Sequence, residues 1–339
     1  MTSLQLPPDF HPRRILIIRL ARLGDVILMF PAIRALRSRF PKSHLAMVVG
    51  QPYAPVLEMC SAVDEVIAVD RVAMRDGSKL VALRDILLLV RKVRSPRFDL
   101  VLDFHSFRET NLLSLCSAGR YRMGVQRFQA PYLSFCFNLP PVLEDKSRHV
   151  AETFLSLVQP LGALQNLDDY QLDFAAQDVA AGKRFCRTWG VSPGTILLGM
   201  NVGAGSPGRT WPPERFAELA DLLSHEKNVT VVVFSGPGES HLARAVVDAM
   251  RTPPPILADE LPLRSLAAAF SQCRVLLSND TGPMHLAAAA GVPTLGLFSL
   301  SSPDHYRPLG PRSRHLRRTP IQDLTAEEVH AVLREMLRN

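Results

Sequence analysis

The sequence predicts an α/β protein built as two Rossmann-like halves, each a parallel sheet with helices on both faces. Short apolar runs suited to buried parallel strands alternate with helical periods along the chain. The same plan is then repeated in the second half, and 339 residues exceed one comfortable core.

Residues 14–20 form the first apolar run. They lead into Ala21-Arg22-Leu23-Gly24-Asp25, after which Val26, Met29, Phe30, Ile33 and Leu36 recur at helical spacing. Such a loop, between the carboxyl end of a strand and the amino end of a helix, is where open α/β sheets bind ligands. On spacing alone, a helix cap is the simpler account of Asp25. Strands at 44–49, 65–69, 100–103 and 121–125 follow, separated by helices at 55–59, 78–93 and 108–118, with a further helix at 148–158.

Between 108 and 137 the chain is rich in arginine (Arg108, Arg120, Arg122, Arg127) and aromatics (Tyr121, Phe128, Tyr132, Phe135, Phe137). A solvated rim over a few core aromatics explains this pattern, and so does a docking surface for an anionic, partly apolar ligand. A polar stretch at 165–171 marks the boundary between the halves. Beyond it come a helix at 179–189, a strand at 196–202, a helix at 212–223, a strand at 229–234, and helices at 240–250 and 263–271. Thr325-Ala-Glu-Glu328, with Leu324 ahead of it, is a capping box opening a final helix that runs to 337.

The most informative stretch is 275–298. It reads as a buried strand, a polar turn at 279–282, an Ala-rich helix with Pro283 in its first turn and Gly291 as its stop, and a second buried strand. A helix start carries unpaired N–H groups and partial positive charge, so Asp280-Thr281-Gly282 sits where a diphosphate would dock. Simple capping by Asp280 or Thr281 is the alternative. His285 faces either the phosphate or the core.

Gly203-Ala-Gly-Ser-Pro-Gly208 matches the glycine pattern of dinucleotide-binding loops and raises an NAD-dependent oxidoreductase as a rival class. Pro207 inside the turn and a helix that starts only near Pro212 argue against it, because the third glycine is then not packed in a helix.

Composition narrows the classes further. Hydrophobic residues at 47% and charged residues at 21% suit a soluble globular enzyme and argue against disorder. The net charge of +7 comes from scattered arginines and favours anionic partners, phosphates or an acidic membrane surface. No aromatic-basic reader motif is present, so nucleic acid is not an expected partner. The five cysteines form no CxxC pair, which points to a reduced cytosolic setting without a zinc site. Residues 1–10 lack an apolar signal core, and the longest apolar run, 286–300, is broken by Gly291, Pro293 and Gly296. A cytoplasmic protein, soluble or peripheral on the inner face of the inner membrane, is the expectation.

Four stretches occur in a telling order: 15–31 with Leu23-Gly24-Asp25-Val26, 201–216 with Arg209-Thr210-Trp211, Phe234-Ser-Gly-Pro-Gly-Glu239, and Asp280-Thr281-Gly282-Pro283-Met284-His285 followed by Gly291-Val-Pro. Together they resemble glycosyltransferase family 9, which contains the ADP-heptose:lipopolysaccharide heptosyltransferases. The resemblance spans nearly the whole chain.

It implies a GT-B architecture, two Rossmann-like domains whose parallel sheets face a central cleft. Residues 1–172 would be the acceptor side and 173–322 the nucleotide-sugar domain, with 323–339 a helix packing back on the first domain. It implies an inverting transfer of heptose from ADP-heptose to a lipopolysaccharide inner-core acceptor. Asp25 matches the family's catalytic base. Arg209 takes a position where the family commonly has lysine, keeping the charge with a bidentate reach. Glu239 matches the residue associated with the nucleoside, although an acid is also favourable at a helix start. Asp280 resembles the residue contacting the sugar hydroxyls, and the Thr281 and Gly282 amides face the diphosphate.

Metal-dependent transferases often hold a divalent cation with a D-x-D pair. None exists in this chain, so no metal or other cofactor is expected and helix ends and basic side chains must meet the charge. One departure from the family is Ala21-Arg22-Leu23, where small hydroxyl residues are common; Arg22 would replace those contacts. Arg22, Arg108, Arg120 and Arg122 are the candidate acceptor contacts. A transferase with another nucleotide sugar or acceptor, and a nucleotide binder without transfer activity, are the rival readings. The oligomeric state is not legible.

Overall fold

A computed structural model describes residues 5–338 except 129, 165, 253 and 254. Residues 1–4 of the amino-terminal stretch read above, position 165 at the start of the polar boundary and position 339 lie outside the described residues. The chain divides into two compact units, 1–170 and 171–339, against an expected boundary after 172.

The first unit contains strands β1 (Arg14–Arg19), β2 (His44–Gly50), β3 (Glu65–Val69), β4 (Leu100–Asp103), β5 (Tyr121–Gln126) and β6 (Val142–Leu143). They form one parallel sheet in the order β3-β2-β1-β4-β5-β6. Ile15 to Ile18 of β1 are fully buried, Ile15 lying in register with Leu45 on one side and Leu100 on the other. Burial on both faces is why this run is continuously apolar rather than alternating.

The second unit repeats the order. Its strands are β7 (Ile196–Asn201), β8 (Val229–Ser235), β9 (Ile256–Asp259), β10 (Val275–Asn279), β11 (Thr294–Phe298) and β12 (Arg314–Arg317), arranged β12-β11-β10-β7-β8-β9, all parallel. In each sheet the first strand has its successor on one side and the fourth strand on the other. Loops leaving those two strands part in opposite directions and open a crevice at their carboxyl ends. That switch point lies between β1 and β4 in the first unit and between β7 and β10 in the second.

The sequence reading missed β6, β9 and β12. β6 and β9 end their sheets on one side and β12 ends its sheet on the other, so all three are edge strands of four residues or fewer. An edge strand is covered less, so it lacks the apolar run that marks a central one.

The final helix, Ala326–Arg338, opens with the expected capping box: Thr325 N donates to Glu328 Oε2 at 3.0 Å, and Glu328 N donates to Thr325 Oγ1 at 3.2 Å. Val329, Leu333 and Met336, spaced along one face, are buried with Leu277, Phe216 and Leu223 of the second unit. The Trp211 indole N–H donates to Leu324 O at 2.9 Å and ties the helix entry to the same core. The helix supplies the second sheet with apolar cover that helix Pro213–Ser224 provides only in part. Among the described residues no helix is long and apolar enough to cross a membrane.

Leu333→Ala should lower the unfolding free energy by about 2–5 kcal/mol, the cost of a core leucine truncation. Denaturant unfolding checks this, and a change below about 0.5 kcal/mol would mean that the helix face is not a core element.

Candidate functional site

At the first switch point β1 ends in Arg19, and the chain turns through Arg22 at φ 62° into helix Leu23–Leu28. A left-handed conformation is uncommon for arginine and marks a backbone held by its surroundings. Asp25 stands in the first turn, yet the helix has no side-chain cap bond, so capping does not account for it. Its Oδ2 instead forms an ion pair with Arg19 Nη2, the two side chains being 11% and 3% exposed. Arg19 Nη1 donates to Phe104 O at 2.6 Å, and the guanidinium carbon lies 5.3 Å from the centre of the Phe154 ring. A buried cation needs such partners, because leaving it unpaired would be costly.

Across the switch point, the end of β4 holds a cluster that the sequence reading overlooked. Asp103 is fully buried and accepts hydrogen bonds from His105 N at 3.0 Å, Ser106 N at 2.7 Å and Asn111 Nδ2 at 3.0 Å. Burial outweighs these donors and pushes its pKa up from 3.8 to about 6. His105 is driven the other way, to about 2, first by burial and then by the charges of Arg19, Arg127 and Arg71, so its ring is neutral. Arg127 Nε donates to His105 O at 2.9 Å. A legible signal existed: Asp103-Phe-His105-Ser106 runs from the last residue of a buried strand into the loop at its carboxyl end, the same kind of loop that drew attention to Asp25.

The four arginines proposed for an acceptor do not converge. Arg22 and Arg108 follow the carboxyl ends of β1 and β4, whereas Arg120 and Arg122 lie at the amino end of β5. In a parallel sheet these are opposite edges. Arg122 donates to Cys136 O at 2.8 Å and to Gly119 O at 2.7 Å, so its guanidinium is committed to tying the turn before β5 to the loop after it. Burial holds its pKa below the ordinary arginine value. Arg120 is exposed and lies 5.3 Å from the centre of the Tyr121 ring. The aromatics divide likewise: Tyr121 and Phe137 are buried and Tyr132 stacks on Phe137 at 4.9 Å, while Phe128 and Phe135 are exposed.

At the second switch point one side chain joins the two loops. Asn279 Nδ2 donates to Val202 O at 3.0 Å and to Gly203 O at 3.2 Å, and its Oδ1 accepts from Trp211 N at 3.1 Å. Asn201 reaches the other way, donating to Ser278 Oγ at 3.2 Å and Thr281 Oγ1 at 3.3 Å. Thr281 precedes helix Gly282–Ala289 and forms no side-chain cap, so its hydroxyl serves the loop rather than the helix. Asp280 is largely buried, and Arg209 Nη1 lies 3.6 Å from Asp280 Oδ2. A cation and the positive end of a helix are thereby placed together. His285 is buried within that helix, which favours the core among its two sequence readings.

Glu239 closes the loop after β8. Its Oε2 accepts from Gly236 N at 3.0 Å, and its carboxylate fills the space in front of Gly203, where a Cβ would collide with it. A side chain at Gly203 would therefore displace the Glu239 carboxylate from this position. Arg209 ends the short turn Pro207–Arg209, and the next helix begins at Pro213. Gly208 thus lies outside any long helix, as the case against a dinucleotide loop required. Among the described residues no group of three His, Cys, Asp or Glu side chains is gathered to hold a metal ion.

Solved structures share this fold. The glycosyl transferase family 9 protein from Veillonella parvula DSM 2008 superposes with a TM-score of 0.86 at 25% identity, covering 97% of this chain and 98% of that one. Escherichia coli heptosyltransferase WaaC with ADP gives 0.78 at 20% identity, covering 95% and 99%. The lipopolysaccharide core heptosyltransferase OpsX of Haemophilus influenzae is 21% identical over 294 residues, 86% of this chain and 80% of its own. With two doubly wound sheets, the protein is a glycosyltransferase of the GT-B fold. The description Glycosyltransferase family 9 (heptosyltransferase) matches residues 86–332, and the chain belongs to that family.

The Asp103 environment has a signature in pH. Its folded pKa exceeds its ordinary value, so between about 4 and 6 the native state keeps a proton that the unfolded state has released. Its contribution is present at low pH, falls as pH rises through this window and is lost above about 6. From about pH 4 to pH 7, the wild type should lose up to about 3 kcal/mol more unfolding free energy than Asp103→Asn. Parallel pH profiles for the two proteins would dismiss the assignment.

Proposed function

We propose that this enzyme transfers heptose from ADP-heptose to a lipopolysaccharide inner-core acceptor, inverting the anomeric carbon and using no divalent metal. The observation that carries the reading is the Arg209–Asp280 pair beside the start of helix Gly282–Ala289. Breaking the sugar–phosphate bond leaves an electron pair and growing negative charge on ADP. Arg209 and the helix start offset that charge as it forms, without reorganisation. Asp280, held beside Arg209, receives the sugar hydroxyls, and Glu239, next to Gly203, receives the nucleoside.

Asp25 takes the proton of the acceptor hydroxyl as its oxygen attacks the anomeric carbon from the face opposite ADP. Arg19 grips one carboxylate oxygen and leaves the other directed to the acceptor. ADP as the nucleotide is supported by the name of the WaaC structure, and a lipopolysaccharide core acceptor by the name of OpsX. Such an acceptor sets the reaction at the inner face of the inner membrane. A different donor sugar or acceptor is the second reading, favoured by the exposed Arg22 at φ 62° in place of small hydroxyl residues.

Calorimetric titration with ADP, UDP and GDP in the absence of metal tests the donor. Selective ADP binding, weakened by Asp280→Ala and by Glu239→Ala, is expected; preference for UDP or GDP would replace the donor, and no binding would refute the site. Arg209→Ala should weaken ADP binding by about 1.5–3 kcal/mol, the value of a charged hydrogen bond, and an unchanged affinity would remove Arg209 from the diphosphate. Asp25→Ala should abolish turnover while ADP affinity is retained. Substantial residual turnover would deny it the role of base, and loss of wild-type turnover in EDTA would overturn the metal-free mechanism.

A further inference from the structure

We propose that helix Lys79–Arg94 docks the protein on an anionic lipid bilayer, lying flat at the headgroup level. The helix is apolar on two sides. One side is accounted for: Val93 is buried in the first unit's core, and Leu89 and Val90 pack partly against it. On the other side Leu80, Leu87 and Leu88 are 79%, 60% and 56% exposed, with Val81 exposed beside them; Leu83 and Ile86, although exposed, share the inner face of Val90 and Val93 at seven-residue spacing. Scattered exposed leucines are ordinary, but a row of them along one helix is the mark of an interaction surface.

The sequence of that outer face identifies the partner. At helical spacing Leu80, Arg84, Leu87, Leu88 and Arg91 fall on one stripe, so guanidinium groups interrupt the leucines instead of lining a separate face. A protein groove would have to bury those cations beside leucine. At a bilayer surface the leucines enter the acyl boundary while Arg91 extends to lipid phosphates and Arg84, paired with Asp85, stays at the headgroup level. Lys79, Lys92 and Arg94 add positive charge, whereas Asp76 and Asp85 are engaged by Arg75 and Arg84. A second copy of the chain would bring like charges into register on molecules that already carry +7. The surface is complementary to acidic phospholipid, and its residues take no part in the transfer reading.

The test uses the full-length protein and sedimentation with vesicles of phosphatidylglycerol and phosphatidylcholine that contain no saccharide. The wild type should pellet with these vesicles and at least about fivefold less with phosphatidylcholine alone, because lipid charge supplies part of the attraction. Leu80→Glu combined with Leu87→Glu should reduce partitioning about tenfold or more at an unchanged thermal midpoint, both side chains being exposed. Arg91→Glu should reduce it several-fold and increasingly so at low salt. Unchanged pelleting of the double variant would overturn the proposal, as would a wild type that ignores the vesicles. It would equally fail if the wild type sediments as a dimer that the double variant splits, since the face would then be covered by its own copy.

Discussion

A parallel sheet whose strand order reverses at its centre leaves a gap between two diverging loops, and both halves of this molecule depend on how that gap is filled. Apolar side chains cannot fill it, because the strand ends expose carbonyl and amide groups that need partners. In the first unit the filler is Arg19, reaching from β1 to Phe104 O after β4 and to Asp25. In the second it is Asn279, reaching from β10 to the carbonyls after β7. The fold thus generates a polar crossing point before any ligand is considered, and each candidate site is assembled around one.

The two crossing points differ in electrical character. The first concentrates ionisable groups: a buried cation, a carboxylate beside it and Asp103, whose proton is retained to about pH 6. The second uses neutral amides and hydroxyls, Asn201, Asn279, Ser278 and Thr281, to hold the loops, with charge confined to Arg209, Asp280 and Glu239. Proton transfer requires the former kind of setting and binding of a diphosphate the latter. The division of labour proposed between the units follows from this contrast.

Much of this was legible in the sequence. Central strands are buried on both faces, so they announce themselves as unbroken apolar runs, and the turn at 279–282 was marked by Pro283 and Gly291 around an Ala-rich helix. Edge strands β6, β9 and β12 were not legible, since a strand covered on fewer sides has a weaker pattern. Arg19 escaped because its role is set by the register of β1 against β4, a relation between residues far apart in the chain. Arg122 was misleading for the same reason. Composition suggested an anion contact, but its position at the amino end of β5 sets it against the backbone on both sides of that strand.

The helix Ala326–Arg338 gives the chain an order of events during synthesis. The first unit builds its sheet from β1 to β6 alone, all of which lie before position 171. The nucleotide-side sheet cannot seal its core at that stage, because Val329, Leu333 and Met336 are the final pieces of it. Until they emerge, the apolar surface of helix Pro213–Ser224 and of β10 is open to water and to chaperones. The core of the second unit therefore stays incomplete during synthesis until helix Ala326–Arg338 has emerged.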